Sequence, residues 1–279
     1  MKSTYIKTIL NFLASFNNLI IVNKKHYYSV LKFYNNGLVL KRHLSNNLPK
    51  KIESYILNNF ELSYSQLFQD LLVRYISEEV SISTDNRFFV EFGAADGIYL
   101  SNTKLLEQEG WKGVVAEPAK KYREKILQNR NCIVVTKAVG VQNENRVTFV
   151  ETEETSLSTR REFLDSDLHS KWRRSMIKDV YEVESISINN LLALIPNRIT
   201  YLSIDIEGGE YRVLAKLDWE NYHPKIISVE HNYSPLNKRI ETLLNSKGYV
   251  RVFREFLKFD SMYVSSEIYK KLIATKSLI

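Results

Sequence analysis

Phe89-Val90-Glu91-Phe92-Gly93-Ala94-Ala95-Asp96-Gly97 sets the reading of the whole chain. Arg87–Phe92 is a near-continuous run of apolar and aromatic residues, which predicts a strand buried on both faces. The small residues after it predict a tight turn at which a ligand can approach the backbone, with Gly93 and Gly97 supplying the conformational freedom. The spacing is G-x-x-x-G and not the G-x-G-x-x-G of dinucleotide-binding turns. Glu91 and Asp96 flank the turn. Carboxylates repel a pyrophosphate and attract a cationic ligand.

Outward from this stretch, short β runs alternate with amphipathic segments. Helices are predicted at Gln66–Glu79, Ser101–Glu109 with Ser101 as N-cap, Ala119–Gln128, Ile188–Ile195, Glu210–Leu217 and Leu236–Lys247, the last closed by Gly248. Strands are predicted at Gly113–Glu117, Cys132–Thr136, Arg146–Val150, Thr200–Asp205 and Lys225–Glu230. A terminal antiparallel pair is expected at Tyr249–Phe253 and Phe259–Val264. Thr152–Lys178 is polar and aperiodic and reads as a long loop or partly helical insert. Alternating strands and helices imply an α/β fold with a mostly parallel sheet covered on both faces. Ligands of such sheets bind beyond the C-terminal strand ends.

The second strand ends in Ala116-Glu117-Pro118, about 20 residues past the turn, where a carboxylate accepts hydrogen bonds from ribose hydroxyls. Glycine turn and strand-end Glu117 together indicate a nucleoside. S-adenosylmethionine fits best, since it carries a ribose and a sulfonium cation and no phosphate. The third end reads Ser203-Ile204-Asp205-Ile206-Glu207-Gly208-Gly209-Glu210, and the fourth Val229-Glu230-His231-Asn232. Each is weak alone, because acidic residues at a helix start often only complement its dipole.

The ordered set resembles the FkbM-type methyltransferase family. The matching stretches are Ser65-Gln66 with Gln69-Asp70, VEFGAADG with Ser101-Asn102-Thr103, GWKGVVAEP, YLSIDIEGGEYRVL, SVEHN and the terminal Asp260-Ser261-Met262-Tyr263-Val264. They span roughly residues 62–265. That resemblance implies a Rossmann-like class I methyltransferase fold, with a mostly parallel seven-stranded sheet, helices on both faces and a C-terminal antiparallel strand. The basic N-terminal segment is then a partly helical extension, residues 1–60, ahead of a methyltransferase domain, 61–279. The family often has Asn where Ala95 stands and Gly where Phe68 stands.

By the same resemblance, Gly93, Asp96 and Gly97 line the methionine part of S-adenosylmethionine, and Gln69, Asp70, Glu91, Ala94, Ser101 and Asn102 are further cofactor contacts. Glu117 and Pro118 hold the ribose side, Ala138 and Val139 lie near the adenine, and Asp205 closes the pocket. Asp205, Glu207 and His231 face the methyl group and the acceptor. The implied activity is O-methylation of a sugar or glycan hydroxyl.

A hydroxyl is a poor nucleophile until its proton leaves. His231 has the most suitable ordinary pKa for a general base, about 6.5, with Asp205 or Glu207 orienting it or acting directly. Asp205, Glu207 and Glu230 are alternatively ligands for Mg2+, a less favoured version. The insert, residues 151–180, reads as a solvated charged loop or, alternatively, as a lid over the acceptor in which Trp172 stacks on a sugar. Arg160, Arg161, Arg173 and Arg174 are placed to meet phosphate or carboxylate groups, with Glu230 and Asn232 on the acceptor side. The competing expectations are a methyltransferase on a non-sugar acceptor, a nicotinamide oxidoreductase, which the missing G-x-G-x-x-G disfavours, and a non-catalytic nucleoside-binding module.

The chain of 279 residues is 44% hydrophobic and 25% charged, as expected of a globular protein and not of a disordered one. A single cysteine, Cys132, excludes an internal disulfide or a cysteine-built metal site and points to a reducing compartment, the cytoplasm. Residues 1–60 carry nine Lys/Arg and one acidic residue, a balance of +8, and the remainder sums to −1. A neutral body argues against a nucleic-acid partner. Thr8–Val22 is too short to span a bilayer. Its helical spacing predicts an amphipathic helix, packed on protein or lying on the inner face of an anionic membrane.

Overall fold

The structure is a computed structural model and describes residues 44, 47–142, 146–153, 157–166 and 169–278. The expectation of a membrane-contacting helix within residues 1–43 lies outside the described residues. Among the described residues, no helix is long and apolar enough to cross a membrane.

Helix α1 (Lys50–Asn59) starts directly after Pro49, and α2 (Gln69–Glu79) follows a short 3-10 turn. Then come β1 (Phe88–Phe92), α3 (Lys104–Gln108), β2 (Lys112–Ala116), α4 (Arg123–Asn129), β3 (Ile133–Val135) and β4 (Ala138–Gly140). Next are β5 (Val147–Thr152), β6 (Thr159–Arg160), α5 (Ser170–Ser175), β7 (Ile177–Val183), β8 (Ser185–Ser187) and α6 (Ile188–Leu192). The chain closes with β9 (Ile199–Ile204), α7 (Glu210–Leu214), β10 (Ile226–Glu230), α8 (Asn237–Ser246), β11 (Tyr249–Val252), β12 (Asp260–Ser265) and α9 (Ser266–Ala274).

Seven strands form the main sheet in the order β11-β12-β10-β9-β1-β2-β3. The β1, β2, β3, β9 and β10 ladders are parallel, while β12 runs antiparallel to both β10 and β11. The period of two in each strand feeds two cores. Phe89, Val115, Tyr201, Ile226 and Met262 pack on the face of α1, α2, α3 and α9. Val90, Phe92, Val114, Leu202, Ile204 and Val229 pack on the face of α6, α7 and α8. Leu44, Leu48, Ile52 and Ile56 belong to the first of these cores, so the C-terminal part of the expected extension is built into the domain.

Three details differ from the sequence reading. The predicted helix at Ser101 begins at Lys104, although Ser101 Oγ still accepts the amides of Thr103 and Lys104. The strand expected at Arg146–Val150 is β5, which lies in a separate three-stranded antiparallel sheet, β6-β5-β7. The insert read as aperiodic therefore contains β6, α5 and the start of β7. A register shift between Glu151 and Thr152 breaks the alternation that would have revealed the sheet.

Candidate active site

The parallel strands end side by side at Phe92, Ala116, Ile204 and Glu230, and the residues just beyond them carry the polar chemistry. A cleft with about 390 Å3 of empty space opens there, lined by Gly93, Ala116, Glu117, Pro118, Ala138, Val139, Phe149, Ser158, Arg160, Phe163 and Ile206. Five of these, Gly93, Glu117, Pro118, Ala138 and Val139, are among the expected donor contacts.

Gly93 sits at φ +80, and a Cβ there would overlap the backbone carbonyl oxygen of Asp205. Its smallness therefore first serves the close approach of two strand ends. The turn's amides are occupied internally. Those of Gly93 and Ala94 donate to Ala116 O, that of Ala95 to Glu117 Oε2 at 2.9 Å, and that of Gly97 to Ala94 O. Asp96 Oδ1 accepts the amides of Ile98 and Tyr99. A phosphate cradle needs such amides free, and here carbonyls and carboxylates hold them.

Glu117 also accepts the Ala119 amide at 2.8 Å. Burial dominates over these bonds and pushes its carboxyl up to about 7. Ala95 adopts φ +48 and Phe68 φ +60. These are the two positions at which the family often carries Asn and Gly, residues that tolerate the left-handed region. The buried ring of Phe68 in the first core offsets its strain; Ala95 has no comparable compensation.

Several expected donor contacts lie away from the cleft and face inward. Gln69 donates to Asp260 Oδ2 at 2.6 Å and accepts the Leu67 amide. Asp70 accepts Ser63 Oγ and the amides of Tyr64, Ser65 and Leu71. Both therefore fasten α2 and the segment before it. Glu91 accepts Ser101 Oγ, the Asn102 amide and Thr103 Oγ1, and pairs with Arg130 at 3.3 Å. Arg130, which the sequence did not single out, also pairs with Glu107 at 3.0 Å and donates to the Gly97 carbonyl. It stands in a loop, Asn129-Arg130-Asn131, whose composition carries no signal for a buried cation. Ala94 is buried in the first core, Gly97 packs on Arg130, and Asn102 donates to Ser203 Oγ.

At the third and fourth strand ends, the carboxylate oxygens of Asp205, Glu207 and Glu230 lie within 4.8 Å of one another. Arg173 Nη2 meets Glu207 at 3.1 Å, and Asn232 Nδ2 donates to Glu230 at 2.7 Å and to Glu207 at 3.4 Å. Glu207 at φ +58, Asn232 at φ +43 and Tyr233 at φ +54 all take left-handed backbone to make this arrangement. Glu210 folds back to accept the amides of Ile206 and Gly208. Burial, helped by the charge of Asp205, holds its carboxyl up at about 7.

The acceptor contacts expected in the insert need correction. Arg173 is fully buried and donates to the carbonyls of Leu157 and Leu164 as well as to Glu207, so it cannot reach an acceptor. Arg174 pairs with Asp165 at the surface at 2.5 Å. Trp172 meets the His169 ring edge to face at 6.2 Å and is not among the residues lining the cleft. The walls on that side are instead Phe149, Ser158, Arg160 and Phe163.

His231 also differs from expectation. Its Nδ1 accepts the Tyr233 amide, and burial, with Arg251 nearby, drives its pKa down to about 4. Strand alternation turns its side chain to the opposite face from Glu230.

A seven-stranded sheet with this order, one antiparallel strand and a carboxylate beyond the second strand defines a class I methyltransferase fold. The family model described as the methyltransferase FkbM domain matches residues 91–251, more than half of the chain, and the chain belongs to that family. Among solved structures, it is similar to an O-methyltransferase from Bacillus cereus in complex with SAH. The identity is 13%, covering 81% of this chain and 97% of that one, with a TM-score of 0.32. It is also similar to the fibrillarin/Nop5p complex at 13% identity, covering 64% of this chain and 72% of that one, with a TM-score of 0.31. No curated protein sequence matches at a significant level.

Proposed function

We propose that this methyltransferase moves the methyl group of S-adenosylmethionine to a hydroxyl oxygen of a sugar or glycan. The observation that carries the donor assignment is the bond from the Ala95 amide to Glu117. It places a carboxylate, and no phosphate site, between the glycine turn and the second strand end. An adenosyl donor suits that floor, with Glu117 accepting from the ribose and Pro118, Ala138, Val139 and Phe149 offering apolar contact to a ring. The sulfonium supplies the leaving group, so the chain's own work is alignment and removal of a proton.

For the proton, the carboxylate trio is a better source of base than His231. His231 turns to the opposite face of the sheet from Glu230, and with its pKa fallen to about 4 it is no stronger a base than an ordinary carboxylate. Glu207 is tied to Arg173, and Glu230 to Asn232. Asp205, only half-buried, is the member we assign to the acceptor hydroxyl. Arg173 places one positive charge within the trio, which lowers the need for a divalent ion there.

Label transfer from methyl-tritiated S-adenosylmethionine to a panel of mono- and oligosaccharides tests the reading. Base-stable label on sugar, as expected of a methyl ether, supports it. Label found only as base-labile ester, or on no sugar, contradicts it.

A further inference from the structure

We propose that the acceptor carries a negative charge, a carboxylate or a phosphate, received by Arg160 on the cleft wall and by Arg212 beside the ring of Phe163. This rests on the methyl-transfer reading above. Strand β6 is two residues long, and its side chains divide the work. Thr159 Oγ1 donates to the carbonyls of Ile206 and Glu207, which pins β6 over the third strand end. Arg160, alternating with it, lines the cleft. The seat for its guanidinium is kept open by Gly140, where a Cβ would overlap Nη1 of Arg160.

The ring of Phe163 continues this wall. Arg160 Cζ and Arg212 Cζ each lie 5.4 Å from its centroid, so two guanidinium groups flank one cleft-lining ring. Phe163 is itself fixed, since a Cβ on Gly209 would strike it. Arg160 Nη2 reaches Glu162 at 2.6 Å; that carboxylate is 42% exposed, while the Arg160 side chain is buried against the cleft. Arg212 is exposed and has no carboxylate within 4.0 Å among the described residues. Arg239 stands near it, 4.9 Å from the ring of Tyr211 on α7.

The charge distribution decides which ligand these arginines serve. Glu117 lines the cleft, and Asp205, Glu207 and Glu230 gather at the neighbouring strand ends, an anionic surround that favours a sulfonium. The donor's one anionic group, its methionine carboxylate, is expected at the Gly93–Gly97 turn, whereas Arg160 stands against Gly140 of β4, and its charge repels the sulfonium itself. A guanidinium does match carboxylate and phosphate oxygens through two parallel donors. Ser158, beside it on the lining, adds a hydroxyl to the same wall.

The test uses the full chain loaded with S-adenosylhomocysteine, whose own affinity is measured first. Calorimetry then follows three probes: hyaluronan tetrasaccharide for carboxylates, glucose 6-phosphate for phosphate, and neutral cellotetraose. The expected result is an anionic probe binding at least about tenfold more tightly than cellotetraose. Arg160→Gln should weaken that probe about tenfold and Arg212→Gln about threefold, with S-adenosylhomocysteine affinity kept within about twofold. Which anion wins separates uronate from phosphate recognition. Cellotetraose binding as tightly as both anions, no probe binding at all, or anion binding intact in both variants would overturn the proposal. So would loss of S-adenosylhomocysteine affinity in Arg160→Gln with anion binding intact, which gives the guanidinium to the donor. Arg212 is exposed on its helix, so its variant decides the matter even where Arg160→Gln does not fold. Failure of wild-type protein to bind S-adenosylhomocysteine is a separate result and removes the donor reading first.

Discussion

Two buried arginines sit under two acidic strand ends, and they differ in charge balance. Beneath the first turn, Arg130 meets Glu91 and Glu107 while three further donors from Ser101, Asn102 and Thr103 saturate the Glu91 carboxylate. Beneath the third and fourth ends, Arg173 meets Glu207, one of three crowded carboxylates. The first network is closed and holds a loop in place. The second crowds three carboxylates around one guanidinium at the strand ends where we place the acceptor. An acidic residue at a strand end is thus not functional by position alone; unbalanced charge marks the difference.

The sharpest way to break this contrast is to remove charge from the open network. Asp205→Asn should lower kcat about a thousandfold, within the usual span for a general base. Its urea midpoint should hold or rise, because like-charge repulsion is relieved. A large stability loss with modest kinetic loss would make the trio structural. In the closed network the effects should be reversed. Arg130→Met leaves Glu91 and Glu107 buried without their cation and should cost about 3–5 kcal/mol in urea unfolding. An unchanged midpoint would contradict the closed-network account.

Glu117, just past the end of β2, titrates near neutrality. Its folded value of about 7 lies above the ordinary 4.5, so it binds its proton more tightly folded than unfolded. Its effect on stability is therefore most favourable at low pH and is lost as pH rises from 4.5 through 7. Ribose hydroxyls prefer the ionised form, so S-adenosylhomocysteine affinity should rise from pH 6 to 8. Glu117→Gln should flatten that rise and weaken binding about tenfold, the loss expected of a charge-assisted bond. A pH-independent wild-type affinity would remove Glu117 from the donor site.

Smaller effects sharpen the same picture. Ala95→Asn should stabilise the fold by about 0.5–1 kcal/mol, since asparagine tolerates φ +48 better than alanine. A lower melting temperature would assign the left-handed turn another cause. Chelator treatment should change turnover by less than about twofold, because Arg173 already balances part of the trio. Loss of activity restored by Mg2+ would reassign Asp205, Glu207 and Glu230 as metal ligands.

Much of the sheet was legible because its parallel strands are buried on both faces and read as apolar runs, as at Phe88–Phe92 and Ile226–Glu230. Residues directly beyond those runs, Gly93, Glu117 and Asp205, could be placed at strand ends for the same reason. What could not be read was direction. Gln69, Asp70 and Glu91 stand at matching motif positions, yet their polar atoms turn inward to donors that sequence spacing does not reveal. The β6-β5-β7 sheet was hidden by its register shift and by the exposed, mixed residues of β7. With it went Phe149, Ser158 and Phe163, and the burial of Arg173. His231 looked like a base from its residue type, but only its packing shows how far its pKa falls.

The central claim is that the strand-end hollow takes an adenosyl sulfonium donor and refuses a pyrophosphate coenzyme. Parallel calorimetric titrations with S-adenosylhomocysteine and NAD test it most directly. The account predicts saturable binding of S-adenosylhomocysteine that weakens in Glu117→Gln, and no binding of NAD. Tight NAD binding with S-adenosylhomocysteine ignored would contradict it.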